Sequence, residues 1–242
     1  MKILNPSIIL VRPQLPENIG MVARAMQNCG LKKLILVSPR EKWPNQKAFD
    51  VSANANIVIK KTKVFDSIKA ALSPFHYVIA TSARNRFLQK FHQNNFSSLF
   101  KQIPSNKNIA IVFGPENSGL SNEDLLLCDI IFSINLSKKN QSLNLSHSVL
   151  LMAYKWKENF SKSENKKSKK INLSTKKDFI FFMNYLKCQL IESGFLLEKE
   201  KRNSKFNNIQ AMFLRAELTK TEIQTLWGMI KKLQNPRKKS GY

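Results

Sequence analysis

Apolar residues along the first two thirds of the chain fall in short runs, at 7–11, 34–37, 57–59, 77–80, 109–113 and 130–134. Each run is rich in β-branched residues, too short for a stable helix and closed by a polar loop. Such runs predict strands buried on both faces. Between them the apolar positions recur at helical spacing. Over 19–29, Val22, Met26 and Cys29 share one face, Gly30 ends the pattern, and Asn18 is a candidate N-cap. Residues 64–72 and the run 149–156 predict further helices, and Ser121-Asn122-Glu123-Asp124 has the form of a helix start with acids in its first turn. Strands alternating with helices predict an α/β fold around a parallel sheet.

After Trp156 this pattern stops. Residues 157–177 are rich in Lys, Ser and Asn, which predicts a basic linker. Beyond it, Phe179, Phe182, Met183, Leu186 and Leu190 follow i, i+3, i+4, i+7 spacing up to Gly194, and 209–214 and 223–233 predict two more helices. The expected division is a domain over 1–157, a linker over 158–177 and a helical extension over 178–242.

Composition narrows the class. With 242 residues, 43% of them hydrophobic, the chain can bury a full core. No apolar run approaches the ~20 residues of a membrane span, and the polar start Met1-Lys2-Ile3-Leu4-Asn5-Pro6 does not read as a signal peptide. Cys29, Cys128 and Cys188 have neither disulfide-framework nor zinc spacing, so buried reduced thiols in a cytoplasmic protein are expected, with no metal. The net charge is +24. Residues 1–154 hold 19 Lys and Arg against 8 Asp and Glu, and residues 155–242 hold 21 against 8, so the basic excess is denser in the tail. Such a balance favours a polyanionic partner through counterion release.

The loops after the strands carry the candidate chemistry, because ligands of open α/β sheets bind beyond the carboxyl ends of strands. Gly114 and Gly119 have P-loop spacing, but Leu120 stands where that motif needs lysine, and no Gly-x-Gly-x-x-Gly occurs. Taken alone, the two glycines permit turns. Small and amide residues at 114–121 and 141–146 suggest a site built largely from backbone groups. Arg84 and Arg86 follow the fourth long strand, where they could meet phosphates or simply be solvated. Phe87, Phe91, Phe96 and Phe100 read as core in preference to base-stacking partners. His76, His92 and His147 form no metal or nucleophile set, and Arg24 falls off the apolar stripe of its helix.

In combination, Pro-Glu-Asn-Ile-Gly-Met-Val-Ala-Arg-Ala-Met (16–26), Gly-Pro-Glu-Asn-Ser-Gly-Leu-Ser (114–121) and Ser-Leu-Asn-Leu-Ser (142–146) resemble, in order and spacing, the three motifs of the SpoU family. These are S-adenosylmethionine-dependent RNA ribose 2′-O-methyltransferases of the SPOUT superfamily. The resemblance implies a parallel α/β sheet with a C-terminal trefoil knot, and a homodimer with its sites at the subunit interface. It implies Arg24 as the catalytic residue, with Asn18, Glu116, Ser142 and Asn144 orienting it and the ribose. Thr81, Ser82, Ala83, Gly114, Ile134, Gln141, Ser142 and Leu143 would line the methyl-donor site.

The tail, through Gly-Phe (194–195), Met-Phe-Leu-Arg-Ala (212–216) and Ile-Gln-Thr-Leu-Trp-Gly-Met-Ile (223–230), resembles the tRNA-binding helical extension of the SpoU group that modifies cytidine or uridine 32 of the anticodon loop. Asn140-Gln141 stands where that group has Tyr-Ser. Two other readings stay open: a SpoU enzyme acting elsewhere on tRNA or rRNA, and a non-catalytic RNA-binding factor on the same fold.

Overall fold

A computed structural model describes residues 4–82, 91–136, 143–160 and 173–234. Its centre is a seven-stranded sheet in which every pairing is parallel. The strands are β1 (Ser7–Val11), β2 (Leu34–Val37), β3 (Lys63–Phe65), β4 (Tyr77–Thr81), β5 (Phe91–Gln93), β6 (Ile109–Phe113) and β7 (Ile130–Phe132), and their order is β3-β2-β1-β6-β4-β7-β5. β1, β2, β6 and β7 are buried along their whole length, as their runs, apolar throughout except for Ser7, require.

Helices α1 (Pro16–Asn28), α2 (Gln46–Val51), α3 (Asn56–Lys60), α4 (Ile68–Leu72), α5 (Phe96–Lys101), α6 (Asn122–Leu125) and α7 (Leu145–Phe160) complete the α/β unit. One face of the sheet packs with α1 and α7 around Val22, Met26, Phe113, Phe132, Met152 and Trp156. The other packs around Ile9, Val78, Val112 and Ile131, with Leu72 and Leu125 from α4 and α6. Phe96 and Phe100 join the first core, where Phe100 meets Trp156 and Phe160 edge-on, so these two rings are structural. Phe87 lies outside the described residues.

Four local expectations are corrected. Residues 57–59 form part of helix α3, because Ala55, Val58 and Ile59 bury one helical face while Ile57 points outward. The predicted helix over 64–72 divides at Asp66 into edge strand β3 and helix α4, which starts where the Ser67 hydroxyl accepts from the Ala70 N–H at 3.2 Å. Leu15 precedes α1, with Pro16 in its first turn, so Asn18 lies inside the helix and is no cap. Cys188 is exposed, whereas Cys29 and Cys128 are buried. The edge strand β5, Phe-His-Gln, lacks the apolar run that marks the buried strands in the sequence.

Three further helices, α8 (Lys176–Glu192), α9 (Lys199–Arg215) and α10 (Lys220–Gln234), share their own core of Phe179, Phe182, Met183, Leu196, Phe206 and Leu214. They attach to the sheet at the start of α8. There the Lys176 and Lys177 N–H groups donate to the Phe75 and Ser73 carbonyls at 2.7 and 3.1 Å, and the Lys176 ammonium pairs with Asp129. The other Asp129 oxygen accepts from the Val78 N–H at 2.6 Å. Burial pushes the nearby Glu217 carboxyl above its usual range, reinforced by Asp129 and opposed by Lys176.

The Lys176 and Asp129 side chains are only 5% and 11% exposed. Removing one partner of so buried a pair strands the other without compensation. Lys176→Met is therefore expected to lower unfolding free energy by about 3 kcal/mol in urea titration. A loss below ~1 kcal/mol would place the pair in effectively solvated surroundings.

Candidate functional site

The order of strands reverses at β1: β2 and β3 lie on one side, β6 and β4 on the other. The crevice beyond the carboxyl ends of strands near such a reversal is where an open sheet can hold a ligand. The chain leaving β1 turns there through Arg12 at φ +49°, and the Arg12 N–H donates to the Val37 carbonyl at 2.7 Å. Its guanidinium pairs with Asp124. Asp124 is buried and closes a reciprocal capping box with Ser121 at the start of α6. The loop after β1 is thereby tied to the 114–124 segment after β6.

The 114–120 loop folds back on itself. The Gly119 N–H donates to the Pro115 carbonyl at 2.8 Å, and Gly119 itself adopts φ +67°. A Cβ on Gly114 would fall 2.2 Å from the Leu120 nitrogen and 2.3 Å from the Gly119 carbonyl carbon. Gly114 is required by close backbone approach, and Gly119 by its dihedral angle.

This loop aims Glu116 at α1. One Glu116 oxygen accepts from the Gln14 N–H at 2.9 Å, and the other from the Asn18 amide at 2.7 Å. Asn18, in turn, accepts from the Asn144 amide at 3.3 Å. The Asn144 oxygen accepts from the Ser146 N–H at 2.8 Å and the Ser146 hydroxyl at 2.7 Å, capping the start of α7. Glu116, Asn18 and Asn144 thus form one hydrogen-bonded line through all three sequence motifs. Asn18 is 5% exposed, and both ends of its side-chain amide are engaged, which fixes its orientation. Ser146 belongs to this line but was not among the expected site residues. Its signal was the Asn-x-Ser spacing of a helix cap.

The expected donor-site residues that are described lie at the ends of adjacent strands. Thr81 ends β4, and its hydroxyl donates to the Val112 carbonyl at 3.0 Å. The Ser82 N–H donates to the Phe132 carbonyl at 3.0 Å. Gly114 follows β6, Ile134 follows β7, and half-buried Leu143 precedes α7. The chemistry of this set suits a ligand held by backbone groups, because glycine and small hydroxyl residues leave the main chain accessible at two of the three strand ends. Ala83, Gln141 and Ser142 lie outside the described residues.

Arg24 is not brought to the Glu116 line. It sits six residues beyond Asn18 on α1, about 9 Å along the axis. It lies in an exposed stripe with Met21 and Asn28, while Asn18 faces inward. Among the described residues Arg24 has no ion-pair partner. Nor does any group of three His, Cys, Asp or Glu among them have the arrangement to hold a metal ion, and no helix of the described residues is long and apolar enough to cross a membrane.

Residues 5–154 match the model of the SpoU rRNA Methylase family. An uncharacterized tRNA/rRNA methyltransferase of Haemophilus influenzae is 33% identical over 230 residues, covering 93% of each chain. The tRNA (cytidine/uridine-2′-O-)-methyltransferase TrmJ of Photorhabdus laumondii is 32% identical over 240 residues, covering 97% of this chain and 99% of its own. The crystal structure of TrmJ from Z. mobilis ZM4 superposes with a TM-score of 0.85 at 30% identity, over 96% of this chain and all of that one.

Proposed function

The chain belongs to the SpoU methylase family, and from that premise we propose that it is an S-adenosylmethionine-dependent tRNA methyltransferase. It methylates the ribose 2′-oxygen of cytidine or uridine 32 in the anticodon loop. The observation that supports this most is the Glu116–Asn18–Asn144 line, which joins the three motifs at the carboxyl edge of the sheet. Near-full-length similarity to an enzyme named for cytidine/uridine 2′-O-methylation of tRNA, helical extension included, supports the substrate. We further propose a cytoplasmic homodimer, knotted at its C-terminal part, with the extension of 178–242 gripping tRNA.

A ribose hydroxyl is a weak nucleophile, so the chain must align it, stabilise the charge that develops on its oxygen and exclude water. When bound, S-adenosylmethionine would supply an activated methyl group on a sulfonium: the oxygen–methyl bond forms as the sulfur–methyl bond breaks, the neutral thioether leaves, and the hydroxyl proton passes to solvent. Thr81, Ser82, Ala83, Gly114, Ile134, Gln141, Ser142 and Leu143 would hold it, largely through backbone groups. Asn18, Glu116, Ser142 and Asn144 position the ribose. Arg24 grips the adjoining phosphate and stabilises the developing alkoxide, the work of a planar cationic fork rather than of a base. Its distance from the Glu116 line within one chain fits service to the neighbouring subunit.

The test is methyl transfer from labelled S-adenosylmethionine to tRNA transcripts, mapped by nucleotide. The expected product carries one 2′-O-methyl group at pyrimidine 32, and a transcript with 2′-deoxyribose there accepts none. Label on a base, at another nucleotide or on rRNA alone would overturn the assignment.

A further inference from the structure

With Phe96 and Phe100 packed into the core, aromatic surface is found instead on the extension. Phe181 and Tyr185 stand one turn apart on α8, and both rings meet Trp227 of α10. Tyr185 lies parallel to Trp227, with ring centroids 4.6 Å apart and planes at 16°, while Phe181 approaches at 5.1 Å. The Tyr185 hydroxyl donates to the Gln234 side-chain oxygen at 3.3 Å, which holds the two helices in register. Phe181 is 65% exposed although it belongs to this cluster. An exposed phenyl ring beside two partly covered ones is an unfinished stack.

Its surroundings are cationic. Lys177 continues the Phe181–Tyr185 row by one helical turn, Lys231 continues from Trp227 by another, and both are exposed. The one acid within a helical turn of these rings is Asp178, three residues before Phe181, and its carboxylate accepts from the Thr175 hydroxyl at 2.9 Å in the cap of α8. An unpaired base offers a flat π face at the end of a negatively charged backbone, so aromatic rings flanked by ammonium groups match it in shape and charge. A protein partner would be met as well by aliphatic side chains and would not call for the +24 excess of this chain.

We propose that Phe181, Tyr185 and Trp227 form a platform on which an unpaired base of the RNA substrate stacks, with Lys177 and Lys231 on the adjoining phosphates. The assignment rests on the tRNA reading above and adds the surface that recognises single-stranded nucleotides. Stacking makes this part of recognition tolerant of base identity and selective for loops over duplex.

The experiment uses the full chain with two probes, a tRNA transcript and a blunt RNA duplex of similar length without unpaired bases. Because Phe181 is exposed, Phe181→Ala should fold normally. It is expected to weaken tRNA binding about tenfold, with duplex binding, S-adenosylmethionine affinity and the slope of affinity against salt unchanged. Phe181→Trp should restore binding, and tRNA should quench Trp227 fluorescence in the wild-type chain. Lys231→Gln, by contrast, should weaken both probes and flatten the salt dependence.

Unchanged tRNA affinity in Phe181→Ala would overturn the platform, as would equal loss on both probes. A shift in oligomeric state without loss of RNA binding would overturn it too, by assigning the patch to a protein contact. Each of these results leaves wild-type methyl transfer intact. A wild-type chain that fails to methylate tRNA would instead defeat the functional reading.

Discussion

Arg24→Ala is expected to reduce 2′-O-methyl transfer at least about a hundredfold, the range seen when a group that stabilises transition-state charge is removed. S-adenosylmethionine affinity should stay within a factor of two or so, because the donor site is assigned to other strand ends. Since Arg24 is exposed, stability should move by less than about 0.5 kcal/mol, so lost activity would not report misfolding. Arg24→Lys separates two roles for the charge. Lysine keeps the charge but not the planar fork that holds a phosphate through two hydrogen bonds. Little recovery is expected; substantial recovery would reduce Arg24 to a point charge. Normal transfer by Arg24→Ala, measured with labelled donor, would remove Arg24 from the active site.

Gly114→Ala carries the second large effect. A Cβ there would lie 2.2 Å from backbone nitrogen and 2.3 Å from backbone carbon, atoms that cannot swing aside like a side chain. The 114–120 loop must open, moving Glu116 off Asn18 and disturbing the proposed donor site together. Calorimetry is expected to show donor affinity reduced by about a hundredfold or more, the scale of a misplaced binding constellation. Gly119→Ala is the control. Nothing lies within 4 Å of its added carbon, so only the strain of φ +67° remains, about 1 kcal/mol. Equal effects at the two glycines would show that the loop is not the rigid element described above.

The two variants together test where Arg24 acts. If it serves the neighbouring subunit, a heterodimer of Arg24→Ala and Gly114→Ala chains contains one intact site. A random equal mixture should then recover about one quarter of wild-type activity, since half of its dimers are mixed and half of their sites complete. No recovery would place Arg24 and the donor in one chain.

Much of this protein was legible in its sequence. Strands buried on both faces must be continuously apolar, so β1, β2, β4, β6 and β7 could be located from hydrophobic runs alone. The helix start at Ser121–Asp124 was readable because the hydrogen bonds of its cap span only three residues. The three motifs were visible as residue types at fixed spacing. Where sidedness was weak, local reading failed: 57–59 has three adjacent apolar residues and no period to separate helix from strand, and β5 is a polar edge.

Tertiary structure alone decided the pairings between distant segments. Asn18 looked like a cap because nothing nearby revealed that Glu116, 98 residues away, and Asn144, 126 residues away, engage its amide. The Arg12–Asp124 and Lys176–Asp129 pairs span 112 and 47 residues. Phe181, Tyr185 and Trp227 become one surface only when α8 and α10 pack side by side. Local periodicity records which face of an element is apolar. It carries no information about which other element that face will meet, because the partner is selected by packing across the whole core.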